Sequence, residues 1–367
     1  VDGRCTPCYY DGCEIIDKRA KMPAKMRAVV KTEPGPGAAL TTIEVPQIGL
    51  KDVLVRVRAT SICGSDLHIY NWDPWAEGRV KPPLIMGHEF AGEVVALGEE
   101  VDTLKVGDSV SAETHIVCGV CYQCRTGQSH VCRNYSIIGV DRSGSFAEYV
   151  ALPAKNAWLN PPDLSWEVAS IQEPLGNAVH AAFSCPLMGQ RVLITGCGPI
   201  GLMSIGIAKA AGAACVYASE VIPYRLDLAH RMKADLVFDA TKVDVAEEVW
   251  AATDGEGVDL LLEMSGHPSA IHQGLKALRN GGYAVLLGIP SRPLEIDLAE
   301  EIIFKGVTVY GVVGRLIYET WYRTRALLSS GAVDVSPILT HRLPLEDFER
   351  GMELMRSGQC GKVVLFP

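Results

Sequence analysis

Four cysteines fall within fifteen residues of one another, Cys118, Cys121, Cys124 and Cys132, in the spacing Cys-x2-Cys-x2-Cys-x7-Cys. Short gaps of this kind set sulfurs about one tetrahedron edge apart, and the longer gap lets the fourth close the shell around a zinc ion. Four thiolates leave no open position, so this site is expected to be structural; disulfide pairs or inert thiols are the alternative reading. A second set is dispersed. Cys63 opens the run Cys-Gly-Ser-Asp-Leu-His68, His88 and Glu89 follow 25 residues after Cys63, and Glu173 begins the run that ends at His180. A thiolate and an imidazole suit zinc. Glu89 and Glu173 can each complete that shell and leave a place for water or substrate, the arrangement that catalysis on zinc requires.

The segment Gly196-Cys-Gly198-Pro-Ile-Gly201 follows an apolar run ending at Thr195 and precedes a helix-compatible stretch, residues 202–211. In that strand–turn–helix context each glycine has a task. Gly196 permits the tight turn, Gly198 lets the backbone approach a pyrophosphate, and Gly201 lets helix and strand pack closely. The helix N-terminus adds unpaired N–H groups and partial positive charge for the phosphates. Glu220 stands about twenty residues on, where a carboxylate accepts hydrogen bonds from ribose hydroxyls and repels a 2′-phosphate. Arg225 is the competing signal, since a guanidinium there can hold that phosphate. The placement of Glu220 at the strand tip favours NAD.

These groups need two kinds of scaffold. Between residues 26 and 174 the pattern is short alternating segments broken by Gly and Pro, such as 53–58, 90–95 and 146–150, which predicts an irregular, mostly antiparallel β domain. From about 190 short apolar runs at 191–195, 215–219, 236–238, 258–262 and 283–287 alternate with helix-length segments, the mark of a parallel doubly wound sheet. Amphipathic helices are expected at 318–329 and 345–356, then a closing strand at 362–366. The formal charge is −9 with no Lys/Arg-rich run, which argues against nucleic acid or an anionic membrane as partner. The uncharged run 192–208 is short for a membrane span and contains Pro199. Residues 1–25, with Cys5, Cys8 and Cys13, lack an apolar signal-peptide core and read as an N-terminal extension, disordered or artefactual, in a cytoplasmic protein.

From Met26 to Pro367 the chain resembles the medium-chain zinc alcohol dehydrogenases: Gly87-His88-Glu89 is the zinc signature of that family and the cysteine quartet is its structural lobe. The resemblance implies an α/β protein with an irregular β-rich, GroES-like catalytic domain (26–174 and 315–367) and a Rossmann domain (175–314). It implies two zinc ions and NAD per chain, and assembly as a homo-oligomer, a tetramer. Within the family, residues 68–75, 173–180, 319–321 and 336–342 resemble the branch that oxidises the β-hydroxyl of L-threonine; NAD-linked oxidation of a polyol, sorbitol or 2,3-butanediol, is the alternative. The roles implied are Cys63, His88 and Glu89 as ligands of the catalytic zinc, Glu173 as a fourth or exchangeable ligand, and Ser65 and His68 as a proton relay. His115 matches a position lining the substrate pocket, while Ile200, Glu220, Arg225, Leu287, Gly288, Ile289, Val312 and Val313 match cofactor contacts. A zwitterionic substrate also needs a cation for its carboxylate and an acceptor for its ammonium. Arg315 is expected to hold the carboxylate or a cofactor phosphate, and Glu173 to accept from the ammonium.

Overall fold

The chemistry-bearing residues sit on two sheets of different construction. The computed structural model describes residues 23–367; Cys5, Cys8 and Cys13, and the reading of the extension that carries them, lie outside the described residues. In the first half the strands Asp52–Ser61 and Glu89–Leu97 form the centre of a seven-stranded sheet. Ser109–Ala112 and Ala157–Leu159 extend it on one side and Tyr149–Pro153 pairs with the first part of Asp52–Ser61. On the other side the chain returns from its far end: Lys362–Phe366 pairs antiparallel with Asp52–Ser61, and Leu339–Pro344 pairs parallel with Lys362–Phe366. A three-stranded sheet of Ala39–Glu44, Lys25–Lys31 and Leu84–Ile85 covers this body. The antiparallel reading therefore holds for the first half, with one parallel pair made by the returning segment.

The second sheet is parallel throughout, in the order Leu236–Asp239, Cys215–Glu220, Arg191–Thr195, Val258–Glu263, Leu278–Leu286, Thr308–Gly311. Numbered within the sheet this is 3-2-1-4-5-6, the doubly wound order, whose switch point lies between the first and fourth strands. Arg191–Thr195 and Val258–Glu263 are buried along almost their whole length, as strands covered by helices on both faces must be. The sixth strand, Thr308–Gly311, was not legible as one: its residues are exposed, because it forms the sheet edge. Leu339–Pro344 also escaped the pattern reading. The helix expected at 345–356 is Phe348–Ser357, preceded by a single 3₁₀ turn, and the one expected at 318–329 is Glu319–Ser329.

Two features tie the halves together. Ala59 of the first sheet, Leu175 of the helix Gln172–Ala182, Val192, Ile194 and Leu262 of the parallel sheet, and Val335 and Val364 of the return all belong to one buried apolar cluster. Gln172–Ala182 also packs against both Pro199–Ala210 and Glu319–Ser329. Among the described residues no helix is long and apolar enough to cross a membrane.

Candidate functional site

The four clustered thiols converge. All four sulfurs lie within 4.8 Å of one another, with Cys121–Cys124 and Cys118–Cys132 at 3.5 Å and Cys121–Cys132 at 3.7 Å. A disulfide would bring two sulfurs to about 2.05 Å. A tetrahedron with zinc–sulfur bonds of about 2.3 Å has edges near 3.8 Å, so the spacing is that of a shared ion. The N–H of Cys124 pulls the Cys121 thiol down to about 6, burial and the neighbouring sulfurs push the Cys124 thiol up to about 11, and the N–H of Asn134 reaches Cys132 Sγ at 3.4 Å. The lobe is anchored by the short hairpin His115–Ile116/Ser136–Ile137.

Cys63, His88 and Glu89 form a second group whose ligand atoms lie within 4.8 Å of one another. Cys63 is the N-cap of the helix Gly64–Asn71, and Asp66 closes the cap by accepting the Cys63 N–H at 2.8 Å. The other Asp66 oxygen stands 3.5 Å from His88 Nδ1, the carboxylate-behind-histidine arrangement that orients metal-binding imidazoles. Glu89 is fully buried, and its Oε2 takes Ser61 Oγ–H and the Lys362 ammonium. Its Oε1 is buried and has no hydrogen-bond partner. A buried carboxylate oxygen without a partner, beside a thiol and an imidazole, is the donor set a divalent zinc ion satisfies. Asp66 and Lys362 were missed by the sequence reading, although Asp66 lies inside the Cys63–His68 run.

Glu173 does not join this group. Its Oε1 accepts from Thr114 Oγ1 at 2.9 Å and lies 2.5 Å from Arg315 Nη1. Glu173 and Asn177 are one turn apart on Gln172–Ala182 and both reach the Arg315 guanidinium, Asn177 Oδ1 at 3.0 Å. Gly176 makes this possible, because a Cβ there would meet Arg315 Cδ at 2.8 Å.

The expectation for Arg315 needs correction. Its side chain is 1% exposed. Its guanidinium is shared between Glu113, at 2.6 and 2.9 Å, and Glu173, with Thr114 Oγ1 accepting at 3.1 Å. Two carboxylates neutralise it and its donors are spent, so it is not free to hold a substrate carboxylate or a cofactor phosphate. Glu113, which the sequence did not single out, is fully buried and also accepts from Trp321 Nε1 at 2.8 Å. Burial would raise its carboxyl, but Arg315 and His115 outweigh that and hold it far below the usual carboxylate range. Arg315 Nη2 also lies 2.7 Å from His115 Nδ1. Glu113 Oε1 lies 3.3 Å from the same nitrogen, so Nδ1 stands between a donor and an acceptor. The ring of His115 stands edge-on to Tyr135 at 5.5 Å.

Ser65 and His68 share the helix Gly64–Asn71. Ser65 Oγ donates to Cys63 Sγ at 3.3 Å, while the His68 side chain is 58% exposed, so the two span from the metal group to solvent.

At the switch point Gly196 has φ 85° and a Cβ on Gly201 would lie 1.9 Å from the Gly196 carbonyl oxygen, so the turn admits only glycine at both places. Gly198 caps Pro199–Ala210 and has open space where its Cβ would be, with Pro199 and Ile200 opening the helix. Glu220 sits at the end of Cys215–Glu220, accepting from Cys197 N–H at 2.9 Å, Val221 N–H at 2.7 Å and Ile222 N–H at 3.1 Å. These bonds fix the carboxylate beside the glycine turn, and the Arg225 Nε nearby has no partner. Glu263 ends the neighbouring strand. It is fully buried and accepts from Ser265 and Gly266 N–H groups, while its carbonyl accepts from Leu287 and Gly288. This bracing holds out Ile289, 89% exposed; Val313 is exposed too and Val312 buried. The turn fits a dinucleotide.

Comparison with known proteins agrees with this geometry. Residues 49–162 match the family described as alcohol dehydrogenase GroES-like domain, and residues 199–330 that described as zinc-binding dehydrogenase. The chain belongs to the zinc-binding, medium-chain alcohol dehydrogenase family, enzymes built for zinc and a nicotinamide dinucleotide. It is 56% identical over 347 residues to an L-threonine 3-dehydrogenase of Symbiobacterium thermophilum, covering 94% of this chain and 99% of that one. It is 53% identical to an L-threonine 3-dehydrogenase of Bacillus subtilis, again covering 94% and 99%. Among solved structures, a 2R,3R-butanediol dehydrogenase of Bacillus subtilis matches at 30% identity with a TM-score of 0.84, covering 93% and 99%. An alcohol dehydrogenase of Thermus sp. ATN1 matches at 33% with a TM-score of 0.85, with the same coverage.

Replacing Glu113 by Ala should cost about 3–5 kcal/mol of folding stability, the penalty for stripping one partner from a buried ion pair. Because the folded-state pKa of Glu113 is depressed, its contribution is full above the unfolded carboxylate value of ~4.3 and fades as pH falls below it. Denaturant titrations of the two proteins should therefore differ at pH 7 and converge in acid. Equal stabilities at pH 7 would remove the network from its structural role.

Proposed function

We propose that the protein oxidises the β-hydroxyl of L-threonine to 2-amino-3-oxobutanoate, with hydride passing to NAD and one proton released. The observation that carries the reading is the full-length likeness to L-threonine 3-dehydrogenases, joined to a Cys63–His88–Glu89 group and a glycine turn in one chain. Zinc, when bound, supplies the Lewis acid that acidifies the hydroxyl, and the nicotinamide accepts the hydride. Cys63, His88 and Glu89 would hold the catalytic ion, and Cys118, Cys121, Cys124 and Cys132 a structural one. Ser65 takes the hydroxyl proton and His68, exposed on the same helix, passes it to solvent. His115, held at Nδ1 by Arg315 and Glu113, turns its other ring nitrogen to the substrate carboxylate in place of the cation expected at Arg315. Glu173, one oxygen tied to Arg315 and Thr114, presents the other to the ammonium. Glu220 receives the adenosine ribose hydroxyls and disfavours a 2′-phosphate.

The assembly is a cytoplasmic homo-oligomer in this reading. The unpaired edge Thr308–Gly311, together with exposed Ile303, Phe304, Val309 and Tyr310, offers an apolar sheet edge of the kind that pairs with a second copy.

Metal analysis should find two zinc ions per chain, and a chelator should remove one before the other, because a three-residue shell exchanges faster than a closed four-thiolate one. Cys63→Ala should lose the fast ion with the fold intact; loss of the slow ion instead would place the catalytic centre elsewhere. Steady-state kinetics should favour NAD over NADP, and Glu220→Ala should narrow the gap as Arg225 becomes free to meet the extra phosphate. Equal kcat/KM for the two cofactors in the unaltered protein would sink that assignment. In a substrate panel L-threonine should give the best kcat/KM, ahead of sorbitol, 2,3-butanediol and ethanol, since a site built to pair polar groups can reject a substrate lacking them by ~10⁴ or more. A polyol outperforming threonine would keep the family and overturn the substrate.

A further inference from the structure

The proton relay proposed for Ser65 and His68 requires His68 to present an unprotonated ring nitrogen to the incoming proton, and nothing in the Ser65–His68 pair decides which nitrogen that is. The adjoining turn does. Asp73 Oδ2 lies 2.5 Å from His68 Nδ1, while Asp73 Oδ1 accepts the N–H groups of Trp75 at 3.1 Å and Ala76 at 3.0 Å. One carboxylate therefore does two things with two different oxygens. It N-caps the helix Pro74–Arg79, which fixes the carboxylate rigidly, and it holds the imidazole. The Trp75 ring stands edge-on to His68 at 6.0 Å and confines the imidazole from the side. Two cations on the neighbouring elements are engaged elsewhere: Arg79 forms a two-bond pair with Asp141, and Arg356, on the helix packed against Gly64–Asn71, binds Glu353 and Asn71; Glu77, Glu349 and Arg350 lie on the same elements.

We propose that Asp73 is a positioning residue that fixes His68 in the tautomer with its proton on Nδ1, leaving Nε2 as the relay's acceptor. The inference rests on the relay reading of Ser65 and His68. An ionised carboxylate only accepts hydrogen bonds, so the nitrogen facing it must donate. Neutral His68 then has its lone pair on Nε2, where a proton arriving from the cofactor side is received; the carboxylate also steadies the imidazolium that forms, until Nε2 releases the proton to water at the exposed face. The step is proton transfer alone: the Nε2–H bond forms as the incoming proton leaves its carrier and breaks as water takes it, and no other co-reactant is needed.

The geometry makes one substitution diagnostic. In Asp73→Asn the cap still needs an acceptor for the Trp75 and Ala76 N–H groups, so the amide oxygen stays there and the amide NH2 turns to His68. That NH2 donates, His68 Nδ1 must accept, and the proton moves to Nε2, which blocks the relay. Asp73→Ser keeps a hydroxyl cap and withdraws from the imidazole, leaving the tautomer unbiased. Both residues are good N-caps, so the fold is kept in each.

Two readouts test this on the intact zinc-loaded enzyme. In protein labelled with ¹⁵N-histidine and held at alkaline pH, the ring resonances of His68, assigned by their loss in His68→Ala, should report the Nδ1–H form in the unaltered enzyme and the Nε2–H form in Asp73→Asn. In kinetics, Asp73→Asn should lower kcat about tenfold and Asp73→Ser about threefold, below the ~10²–10⁴ of a buried general base because water substitutes at an exposed site. KM for NAD should be unchanged. In a His68→Ala background neither substitution should lower kcat further, since the effect acts through the imidazole. An Nε2–H form in the unaltered enzyme, equal losses in the Asn and Ser variants, or a further loss without His68 would each overturn the proposal. If His68→Ala itself leaves kcat unchanged, the relay reading fails, and the tautomer measurement still decides whether Asp73 sets the ring.

Discussion

The buried guanidinium of Arg315 is the interaction on which the arrangement of this molecule depends. It lies just after Gly314, where the chain leaves the parallel sheet, and its partners come from two other segments: Glu113 and Thr114 at the end of the strand Ser109–Ala112, and Glu173 and Asn177 on the helix joining the halves. A lone charge at 1% exposure would be prohibitively costly, and one carboxylate would leave several donors unmet. The site supplies two carboxylates, an amide and a hydroxyl. Satisfying this set in full requires the sheet exit, the strand end and the helix to meet in one relative position, so the ion network works as a register pin between the nucleotide-binding and zinc-binding halves. The apolar cluster running through Ala59, Leu175, Ile194 and Val364 supplies the hydrophobic stabilisation of the same contact, without directional preference.

Carboxylates recur in this fold as structural fixtures at the places where function needs rigidity. Asp66 accepts the Cys63 N–H and faces His88; Glu220 accepts three backbone N–H groups beside the glycine turn; Glu263 accepts from the turn on the other side of the switch point; Asp73 caps a helix and holds His68. In each case the acid stands next to a group proposed to touch metal, cofactor or proton, and it is held by backbone donors that cannot rotate away. Main-chain N–H groups at strand tips and helix starts are otherwise without partners, so the same bond that satisfies the backbone immobilises the acid.

Much of this was legible in the sequence, and what was not divides along physical lines. The cysteine quartet, the Gly196–Gly201 turn and the buried parallel strands were readable because their determinants are local: short spacings, backbone angles that only glycine tolerates, apolar runs. The exposed edge strand Thr308–Gly311 was missed because a strand at a sheet edge carries no burial pattern. Leu339–Pro344 was missed because it pairs with Lys362–Phe366, which itself joins the sheet only by meeting Asp52–Ser61 three hundred residues back. Arg315 was misread for the same reason. Its type and place suggested a free cation, and the carboxylate that consumes it at 2.6 Å lies 202 residues away in the chain. Glu173 was placed near the metal group, and the same guanidinium holds one of its oxygens out of that group. Sequence spacing reveals which residues can do chemistry; only the fold reveals which of them are already occupied.

That occupancy changes how the pocket can discriminate. Were Arg315 free, a substrate carboxylate would be recognised by a full ion pair, which favours any anion of suitable reach. With Arg315 occupied by Glu113 and Glu173, its influence passes through His115, whose Nδ1 is held beside Arg315 Nη2 and Glu113 Oε1. A ring fixed in place is more exacting about direction than a free guanidinium. In the proposed site, leaving the His115 ring and the Glu173 oxygen unpaired would penalise a substrate without carboxylate and ammonium. Specificity in this chain would thus come from polar groups whose placement is set one layer behind the pocket. The same arrangement recurs from Asp66 to His88 and from Asp73 to His68: an imidazole of the proposed site has a carboxylate on its far side that fixes the ring.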